Sequence, residues 1–570
     1  MRLFPLLFFV FCFSGTIKSQ VPANMVAPED AAFNDVYANG KIPSVSGKIL
    51  NVPPRELKNL VITYTLVTPF AKSQISKTVS VQTDGSFKLE LDYAFPFQQI
   101  WFGVGDAFYT GLYVNKDLYL ELDMKKINAA NGVEYNGDGV GYKGTDGPLT
   151  LYLNNYILYK RADKLRLSAK ISQLMQSDLA STGNRITDYD NLFDSIKIIQ
   201  DSYIAANPSS YSWILENERL SDYYGQICIS YFGKTMDDSL WKKVKQHKSY
   251  LISNSSSQLY DYMVMYLSSF PDRGDSITCK DVALLPDLNP GEKALIDSLQ
   301  ECEKMGAANA CSPDKKKKWT QQLQPRIREL ARIRTLDRGI ERLDSAFSPA
   351  KADFLKLRLN TSTEVDEQNE ARKHILLSMH TPWCIAVEKA EYKRANQKID
   401  EINATLAAST RDTQMTNFGK PLMVTPFGAT LFDASGMKAL DFLAKLKQSF
   451  PSQAIIIDRW ATWCVPCLAE MPHAKKLQDD SKDLPVIFVY LCTVNNSTKN
   501  KWKSKVVELQ QPGVHFLIDE KLDADLSNYF SFQGYPGYAI INKAGNYKPG
   551  AIKRISDIEN REALILLINK

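Results

Sequence analysis

The sequence has little excess charge of either sign. Its 570 residues carry 69 Lys plus Arg against 64 Asp plus Glu, a formal net charge of +5 spread over the whole chain. So thin an excess does not favour nucleic acid as a partner. With 44% hydrophobic, 23% charged and 11% aromatic residues, the composition also excludes disordered, collagen-like and low-complexity proteins. At roughly 150 residues per domain, the length predicts three or four domains.

Long apolar runs are missing, and no segment beyond the N-terminus reaches 18 uninterrupted apolar residues. Residues 1–19 have the layout of a secretory signal peptide: Arg2, an apolar stretch from Leu3 to Phe13, and small and polar residues up to Ser19. The apolar stretch is shorter than the roughly 20 residues that a membrane-spanning helix needs. We therefore expect cleavage after Ser19, a linker over residues 20–41, and an exported protein of the periplasm or cell envelope.

Residues 42–147 are predicted to form a β-sandwich. Short alternating runs such as Val61–Val67, Phe87–Leu91 and Leu118–Leu122 are separated by turn residues, which is typical of strands in such a domain. Six glycines lie between Asn131 and Gly147, but their irregular spacing matches neither a phosphate-binding loop nor a dinucleotide-binding pattern. These glycines instead indicate loops that close the β domain.

Residues 148–410 are predicted to be all helical, because the hydrophobic period changes from two to about 3.6. No repeat of fixed length stands out in this region. Two sets of apolar residues each fall on one helical face: Leu192, Ile196, Ile199 and Tyr203, and then Ile333, Leu336, Ile340, Leu343 and Phe347.

Residues 417–570 alternate between strand and helix patterns. A continuous apolar strand, Ala454–Ile457, leads into Cys464-Val465-Pro466-Cys467 and then a helix. Further strand and helix patterns follow, with a closing hairpin around Tyr538–Tyr547. This order predicts an α/β domain with a mainly parallel sheet and helices on its faces.

Cys464 and Cys467 form the one cysteine pair with an informative spacing. Two cysteines separated by two residues at a strand-to-helix junction can close a small disulfide ring. The first sulfur lies at the helix N-terminus, where free N–H groups and the helix dipole stabilise a thiolate. Cys464 is therefore the predicted nucleophile, and Cys467, one turn into the helix, the resolving thiol. Pro466 stiffens the first turn without the loss of a needed N–H.

Two other interpretations of the pair stay open. A zinc half-site would need two further Cys or His ligands at a similar spacing, whereas only His473 is near and Cys492 falls in a buried strand. A purely structural disulfide is the other, although the flanking tryptophans and the strand-to-helix position favour reactivity. We predict no metal and no cofactor.

The segment from Asp458 to Pro472, DRWATWCVPCLAEMP, resembles the active-site segment of the TlpA- and ResA-like branch of the thioredoxins, exported thiol–disulfide oxidoreductases of bacteria. The resemblance implies a thioredoxin fold over residues 417–570. It also implies that Cys464 attacks, that Cys467 resolves, and that Asp458 is the buried acid that assists proton removal from Cys467. From the residues alone, Asp458 is equally well a strand-end acid bonded to the backbone.

Other parts of the chain extend the resemblance. The segment before Tyr538 resembles the family's cis-proline loop, which implies a cis bond between Tyr535 and Pro536 and, with Trp463, a surface for the substrate backbone. The N-terminal segments Val45–Ile49 and Asp84–Phe87 resemble the β domain of multi-domain envelope thioredoxins, a likeness that transfers no activity.

Two positions near the pair need separate interpretation. Arg459 replaces the aromatic or aliphatic residue that is usual after the acid, which leaves substrate choice and redox potential open. Glu470 matches the family pattern but is interpreted here as an exposed charge in the first turn of the helix.

The leading hypothesis is an exported oxidoreductase that reduces disulfides of partner proteins and is itself reduced by a membrane electron donor. A disulfide oxidase or isomerase, and a non-catalytic scaffold with an incidental dithiol, are the alternatives. Oligomeric state stays open. Outside the pair, Cys302 and Cys311 are candidates for one disulfide, and Cys228, Cys279 and Cys384 for pairing across helices. Cys384 is expected to be structural, and Cys492 a small buried hydrophobe.

Overall fold

The computed structural model describes residues 41–570 except 58–59, 71–74, 96, 106, 131–135, 177–181, 248–250, 271–276, 278, 286–287, 305–311, 360–364, 411–413, 496, 548–549, 559 and 570. The predicted signal peptide and all but the last residue of the predicted linker lie outside the described residues. Within the described ranges, no helix combines the length and the apolar composition that crossing a bilayer requires.

Eight strands in the described N-terminal region form two four-stranded sheets, with the orders β4-β1-β7-β8 and β3-β2-β5-β6. Strands β1 and β7 run parallel, and the other neighbours in both sheets are antiparallel. The strands are β1 (Ser44–Leu50), β2 (Val61–Leu66), β3 (Ile75–Ser80), β4 (Ser86–Leu89), β5 (Gln98–Val104), β6 (Phe108–Val114), β7 (Asp117–Asp123) and β8 (Val140–Lys143). Two short helices accompany them, α1 (Pro54–Leu57) and α2 (Met124–Ala129).

One hydrophobic core lies between these two sheets. Along β1 and β7 buried residues alternate with exposed or half-buried ones, which places every second side chain in the core. Phe87 of one sheet meets Phe102 of the other, with ring centroids 5.6 Å apart. The predicted β-sandwich is confirmed, and β8 lies in the glycine-rich stretch that was predicted to form only loops.

The central region is helical, as predicted. Both apolar sets lie within long helices, and their burial confirms the inward faces: Ile199 and Tyr203 are buried in α5, and Leu336, Ile340 and Leu343 in α11. The helices are α3 (Gly147–Leu158), α4 (Arg161–Gln176), α5 (Thr182–Ala206), α6 (Ser212–Ser230), α7 (Asp238–Gln246), α8 (Asn254–Ser268), α9 (Cys279–Ala283), α10 (Pro290–Lys304), α11 (Pro313–Ala346), α12 (Pro349–Lys356), α13 (Val365–Leu377) and α14 (Pro382–Ala408).

The C-terminal region contains a six-stranded sheet with the order β14-β11-β12-β13-β10-β9. The inner strands are parallel, and β14 and β9 are antiparallel to their neighbours, as a mainly parallel sheet requires. The strands are β9 (Met423–Val424), β10 (Ala429–Asp433), β11 (Ala454–Trp460), β12 (Val486–Thr493), β13 (Gly513–Ile518) and β14 (Gly537–Ile541). The helices are α15 (Ala439–Ser449), α16 (Val465–Asp479), α17 (Lys499–Leu509), α18 (Glu520–Phe530) and α19 (Arg561–Asn569), with a 3-10 turn at Ile555–Asp557.

Two cores cover the two faces of this sheet. Every residue of β11 is buried, which is typical of a central parallel strand with helices on both sides. Ile456 and Trp460 point into one core, which also holds Cys464 and Cys467, whereas Ile455 and Ile457 point into the other. The alternation along β11 therefore decides which of its side chains share the face of the cysteine pair.

The described residues fall into two compact units. One lies within Met1–Asn360 and His374–Glu388, and the other, called the C-terminal unit below, within Thr361–Lys373 and Lys389–Lys570.

Candidate active site

Cys464 and Cys467 are joined by a disulfide, and their Cα atoms lie 5.3 Å apart. Cys464 is the N-cap of α16 in extended backbone conformation, and its sulfur accepts a hydrogen bond from the Cys467 backbone N–H at 3.2 Å. Pro466 lies in the first turn, where no intrahelical N–H bond is lost. The free N–H groups and the helix dipole favour the anionic form of the Cys464 sulfur when the disulfide is reduced.

The two cysteines differ in exposure. Cys464 keeps a 4% exposed fraction against 1% for Cys467, so the first cysteine is the more accessible of the two. Trp463 and Val465 on either side of Cys464 are 40% and 59% exposed. The first cysteine thus has an exposed apolar side chain on each side of it in the sequence.

Trp463, Tyr535 and Pro536 are brought together as predicted for a substrate surface. The Trp463 and Tyr535 rings meet edge to face with centroids 5.6 Å apart. The Trp463 indole N–H donates to the backbone carbonyl of Asn495 at 2.8 Å, which orients the ring. The peptide bond between Tyr535 and Pro536 is cis. Their part in substrate binding stays a prediction.

Asp458 lies in β11 on the sheet face of the cysteine pair, in alternation with Ile456 and Trp460. Its residue is 2% exposed, and neither carboxyl oxygen has a hydrogen-bond partner among the described residues. The strand register places Tyr490 and Tyr538 on its two sides. Burial, and then the negative charge of Glu470, raise the pKa of Asp458 well above its usual value. The carboxyl therefore keeps its proton at a pH at which an exposed aspartate has lost it.

Glu470 is not the exposed charge that we predicted. It is half-buried, and its carboxylate accepts hydrogen bonds from the Ser556 backbone N–H at 2.9 Å and from the Ser556 hydroxyl at 3.0 Å. The sequence did hold one sign that Glu470 lies near the cysteine pair: it follows Cys467 by three residues, and residues three apart share a helix face. Its hydrogen-bond partner Ser556 could not be predicted, because it lies 86 residues further along the chain.

Arg459 was noted only as a departure from the family pattern, yet it is buried in a polar cluster on the sheet face opposite Asp458. Its guanidinium donates to both carboxylate oxygens of Asp523, at 2.7 and 2.8 Å, and to the carbonyl of Gly534 at 2.9 Å. The guanidinium carbon lies 3.8 Å from the centroid of the Tyr535 ring. Asp523 was not singled out from the sequence, and Gly534 was named there only as part of the segment that resembles the cis-proline loop.

Among the remaining cysteines, Cys228 and Cys384 are buried free thiols, so neither forms the disulfide across helices for which the sequence made them candidates. Burial raises the pKa of both thiols, so neither is a ready thiolate. Cys302 is disulfide-bonded, while Cys311 and the side chain of Cys279 lie outside the described residues. Cys492 is buried in β12, as predicted for a small buried hydrophobe.

No group of three or more His, Cys, Asp or Glu with the arrangement of a metal site occurs in the part of the chain that the structure describes. The sulfurs of Cys464 and Cys467 are bonded to each other in a disulfide and not to a metal. The arrangement suits thiol–disulfide exchange: a sulfur at a helix N-terminus, a second sulfur in reach, and a buried acid on the same sheet face.

Residues 434–552 match the protein family described as Redoxin, and this segment includes all six predicted site residues. A relative, the thioredoxin-like protein YneN of Bacillus subtilis (strain 168), is 31% identical over 120 residues, which cover 19% of this chain and 66% of that protein. Similar solved structures include a thiol:disulfide interchange protein of the thioredoxin family from Chlorobium tepidum TLS, at 18% identity. The match covers 28% of this chain and 93% of the Chlorobium tepidum chain, with a TM-score of 0.20. StoA from Bacillus subtilis, at 16% identity, covers 20% and 84% with a TM-score of 0.17.

Proposed function

We propose that this protein, which carries a thioredoxin-like Redoxin domain at residues 434–552, is an exported oxidoreductase that reduces disulfides of partner proteins. The observation that carries the proposal is the place of Cys464, which caps α16 and is bonded to Cys467 one turn into the helix. The layout of residues 1–19 supports export, as expected for a signal peptide.

The first step uses the reduced pair. The Cys464 thiolate attacks one sulfur of a substrate disulfide and forms a mixed disulfide with it. The substrate S–S bond breaks, and the second substrate sulfur leaves as a thiolate that takes a proton from water. The α16 N-terminus lowers the cost of the attacking anion.

The second step closes the enzyme disulfide. In the fraction of molecules in which Asp458 has lost its proton to water, the Cys467 thiol gives its proton to the Asp458 carboxylate, whose raised pKa makes it a stronger base than an exposed aspartate. The Cys467 thiolate then attacks Cys464, the mixed disulfide breaks, and the first substrate sulfur leaves as a thiolate. The substrate has gained two electrons, and the enzyme has lost two.

Two electrons must return before the next cycle. A dithiol donor at the membrane fits an exported enzyme, because it would reduce the Cys464–Cys467 disulfide and become a disulfide itself. On the substrate side, Trp463, Tyr535 and Pro536 are the proposed contact surface, with the backbone at Tyr535 as an edge for an extended segment of the substrate.

A trapping experiment tests the proposal. The full chain with Cys467→Ser should accumulate protein adducts on Cys464 that a reductant releases, because the resolving thiol is gone. The matched control, Cys464→Ala with Cys467→Ser, should form none. Adducts that are equally abundant in both variants, or no adducts from an extract in which a control thioredoxin is trapped, would favour the scaffold alternative.

Redox titration of the wild-type pair decides the direction. A midpoint near the roughly −270 mV of reducing thioredoxins supports a reductase, whereas one near the roughly −120 mV of strong oxidants contradicts it and favours an oxidase.

A further inference from the structure

The cluster around Arg459 joins three separate elements of the C-terminal unit. Arg459 lies in β11, Asp523 in the first turns of α18, and Gly534 and Tyr535 in the loop before β14. Beyond the three Arg459 hydrogen bonds, the Tyr535 hydroxyl donates to Asp523 Oδ2 at 2.7 Å. Asp523 therefore accepts from both the guanidinium and the phenol, which closes the cluster into a ring of contacts.

This ion pair differs from a surface pair in burial. Arg459 and Asp523 are each 8% exposed, so their charges are largely removed from water. A buried carboxylate without its cation is strongly unfavourable, and the planar guanidinium binds it with two parallel hydrogen bonds. A lysine would supply the charge but not this fork, and it would not stack on the Tyr535 ring. Arginine at position 459 can therefore make both the paired hydrogen bonds and the ring contact, whereas lysine cannot.

The loop that the cluster holds is the one that carries the cis-proline. Gly534 is bonded through its carbonyl, and Tyr535 is bound on its ring face by Arg459 and at its hydroxyl by Asp523. The same ring meets Trp463, the exposed neighbour of Cys464. A contact chain therefore runs from β11 through Tyr535 to the surface beside the reactive sulfur.

We propose that Arg459, paired with Asp523, is a positioning residue that holds the Gly534–Pro536 loop ready to bind an extended, disulfide-bearing segment of a protein substrate. This inference rests on the proposed function of the same site. A loop that is already held in its binding conformation loses less entropy when substrate binds. The KM is therefore lowered for substrates that pair with the loop backbone. A small disulfide that needs no backbone pairing gains little from it.

The test uses the full-length chain, reduced beforehand with a dithiol that is then removed, so that each molecule carries the two electrons for one turnover. It compares two disulfide substrates over a range of concentrations: insulin, whose disulfides lie in a polypeptide, and the small aromatic disulfide dithiobis(nitrobenzoate). In Arg459→Met with Asp523→Asn, both charges are removed together, so no buried charge is left alone. We expect the KM for insulin to rise about tenfold. The rate with the small disulfide should fall by a much smaller factor. Arg459→Lys should raise the KM by a smaller factor, with kcat the less affected constant.

Arg561 and Asp483 provide a matched control in the same unit. They form a bidentate pair at 2.5 and 2.6 Å, and Asp483 is exposed. Arg561→Met with Asp483→Asn should leave the KM for insulin unchanged.

The outcomes separate the two proposals. A wild-type protein that reduces neither substrate overturns the proposed function and this inference with it. A wild-type protein that reduces both, with an insulin KM that the Arg459 variants leave unchanged or with equal losses on both substrates, overturns this inference alone. If the double variant fails to fold, Tyr535→Phe decides, because it keeps the ring and removes the hydroxyl that donates to Asp523. An insulin KM raised about threefold supports the inference, and an unchanged KM contradicts it.

Discussion

At the scale of single residues, Asp458 is a buried acid in the central strand of the C-terminal unit. Its carboxyl lies in a hydrophobic core with Tyr490 and Tyr538 beside it and has no hydrogen-bond partner among the described residues. An ionised carboxylate in such a place is costly, and the raised pKa expresses that cost. A residue that destabilises the fold when it ionises is a reasonable candidate for chemistry.

The pH dependence of stability tests this burial. The unfolded Asp458 ionises above about pH 4, while the native carboxyl keeps its proton, so the native state loses stability as the pH rises towards the native pKa. Each unit by which the pKa is raised corresponds to about 1.4 kcal/mol. Asp458→Asn should therefore reduce the loss of unfolding free energy between pH 5 and 8, as measured by urea unfolding of the oxidised protein. Equal pH slopes in both proteins would show that Asp458 is not held protonated.

The proposed catalytic role of Asp458 has a separate readout in the same variant. Loss of a general base slows a proton-transfer step by a factor on the order of a hundred. Asp458→Asn should slow the resolution of a preformed mixed disulfide by about that factor, while the first attack by Cys464 is less affected. A resolution rate equal to wild type would leave Asp458 with a structural role only.

At the scale of elements, the sandwich depends on the close approach of β1 to its neighbours. A Cβ on Gly47 would lie 2.5 Å from the Leu120 carbonyl oxygen and 2.5 Å from the Phe87 ring. Backbone cannot move out of the way as the end of a flexible side chain can. Glycine at this position is therefore a steric requirement of the parallel β1–β7 pair.

Gly47→Ala should destabilise the sandwich by roughly 1–3 kcal/mol, the usual cost of overpacking. Hydrogen exchange of β1 and β7 in the full-length chain would report the loss. Gly103 in β5 is the matched control, because the nearest atoms to a Cβ there lie at an ordinary 3.5 Å. Comparable losses in both variants would point to backbone entropy rather than to the contact with Leu120.

At the scale of the whole molecule, the C-terminal unit takes in helical residues that precede residue 410 in the chain. The C-terminal unit includes residues from Lys389 onwards and the segment Thr361–Lys373. Ile402 of α14 is buried at 7% exposure in the core that also holds the cysteine pair. Most of α14, from Lys389 onwards, is thus part of the C-terminal unit.

Ile402→Ala should lower the stability of the C-terminal unit by about 2–5 kcal/mol through the cavity that it leaves. Hydrogen exchange in the full-length chain should accelerate in β11 and β12, whereas the strands of the sandwich keep their protection. Ile199→Ala, at 8% exposure in the other unit, should show the reverse pattern. Faster exchange throughout the chain after either change would mean that the two units unfold together.

Much of the site was predictable because it is local in sequence. Cys464 and Cys467 are three residues apart, so the start of a single helix brings the sulfurs together. The side-chain alternation of a strand assigns Asp458 to one face and Arg459 to the other without knowledge of the fold. Hydrophobic periodicity likewise separated the β, helical and α/β regions, because each period follows from the geometry of one element.

Contacts between distant segments were decided only by the tertiary structure. Arg459 and Asp523 are 64 residues apart, and Glu470 and Ser556 are 86 apart, so no local period relates them. Ile402 belongs to the C-terminal unit because it is buried in the core that holds the cysteine pair, although the hydrophobic period of its helix is the same as in the helices before it. Strand order and helix packing choose such partners, whereas backbone geometry alone sets the spacing of the two cysteines.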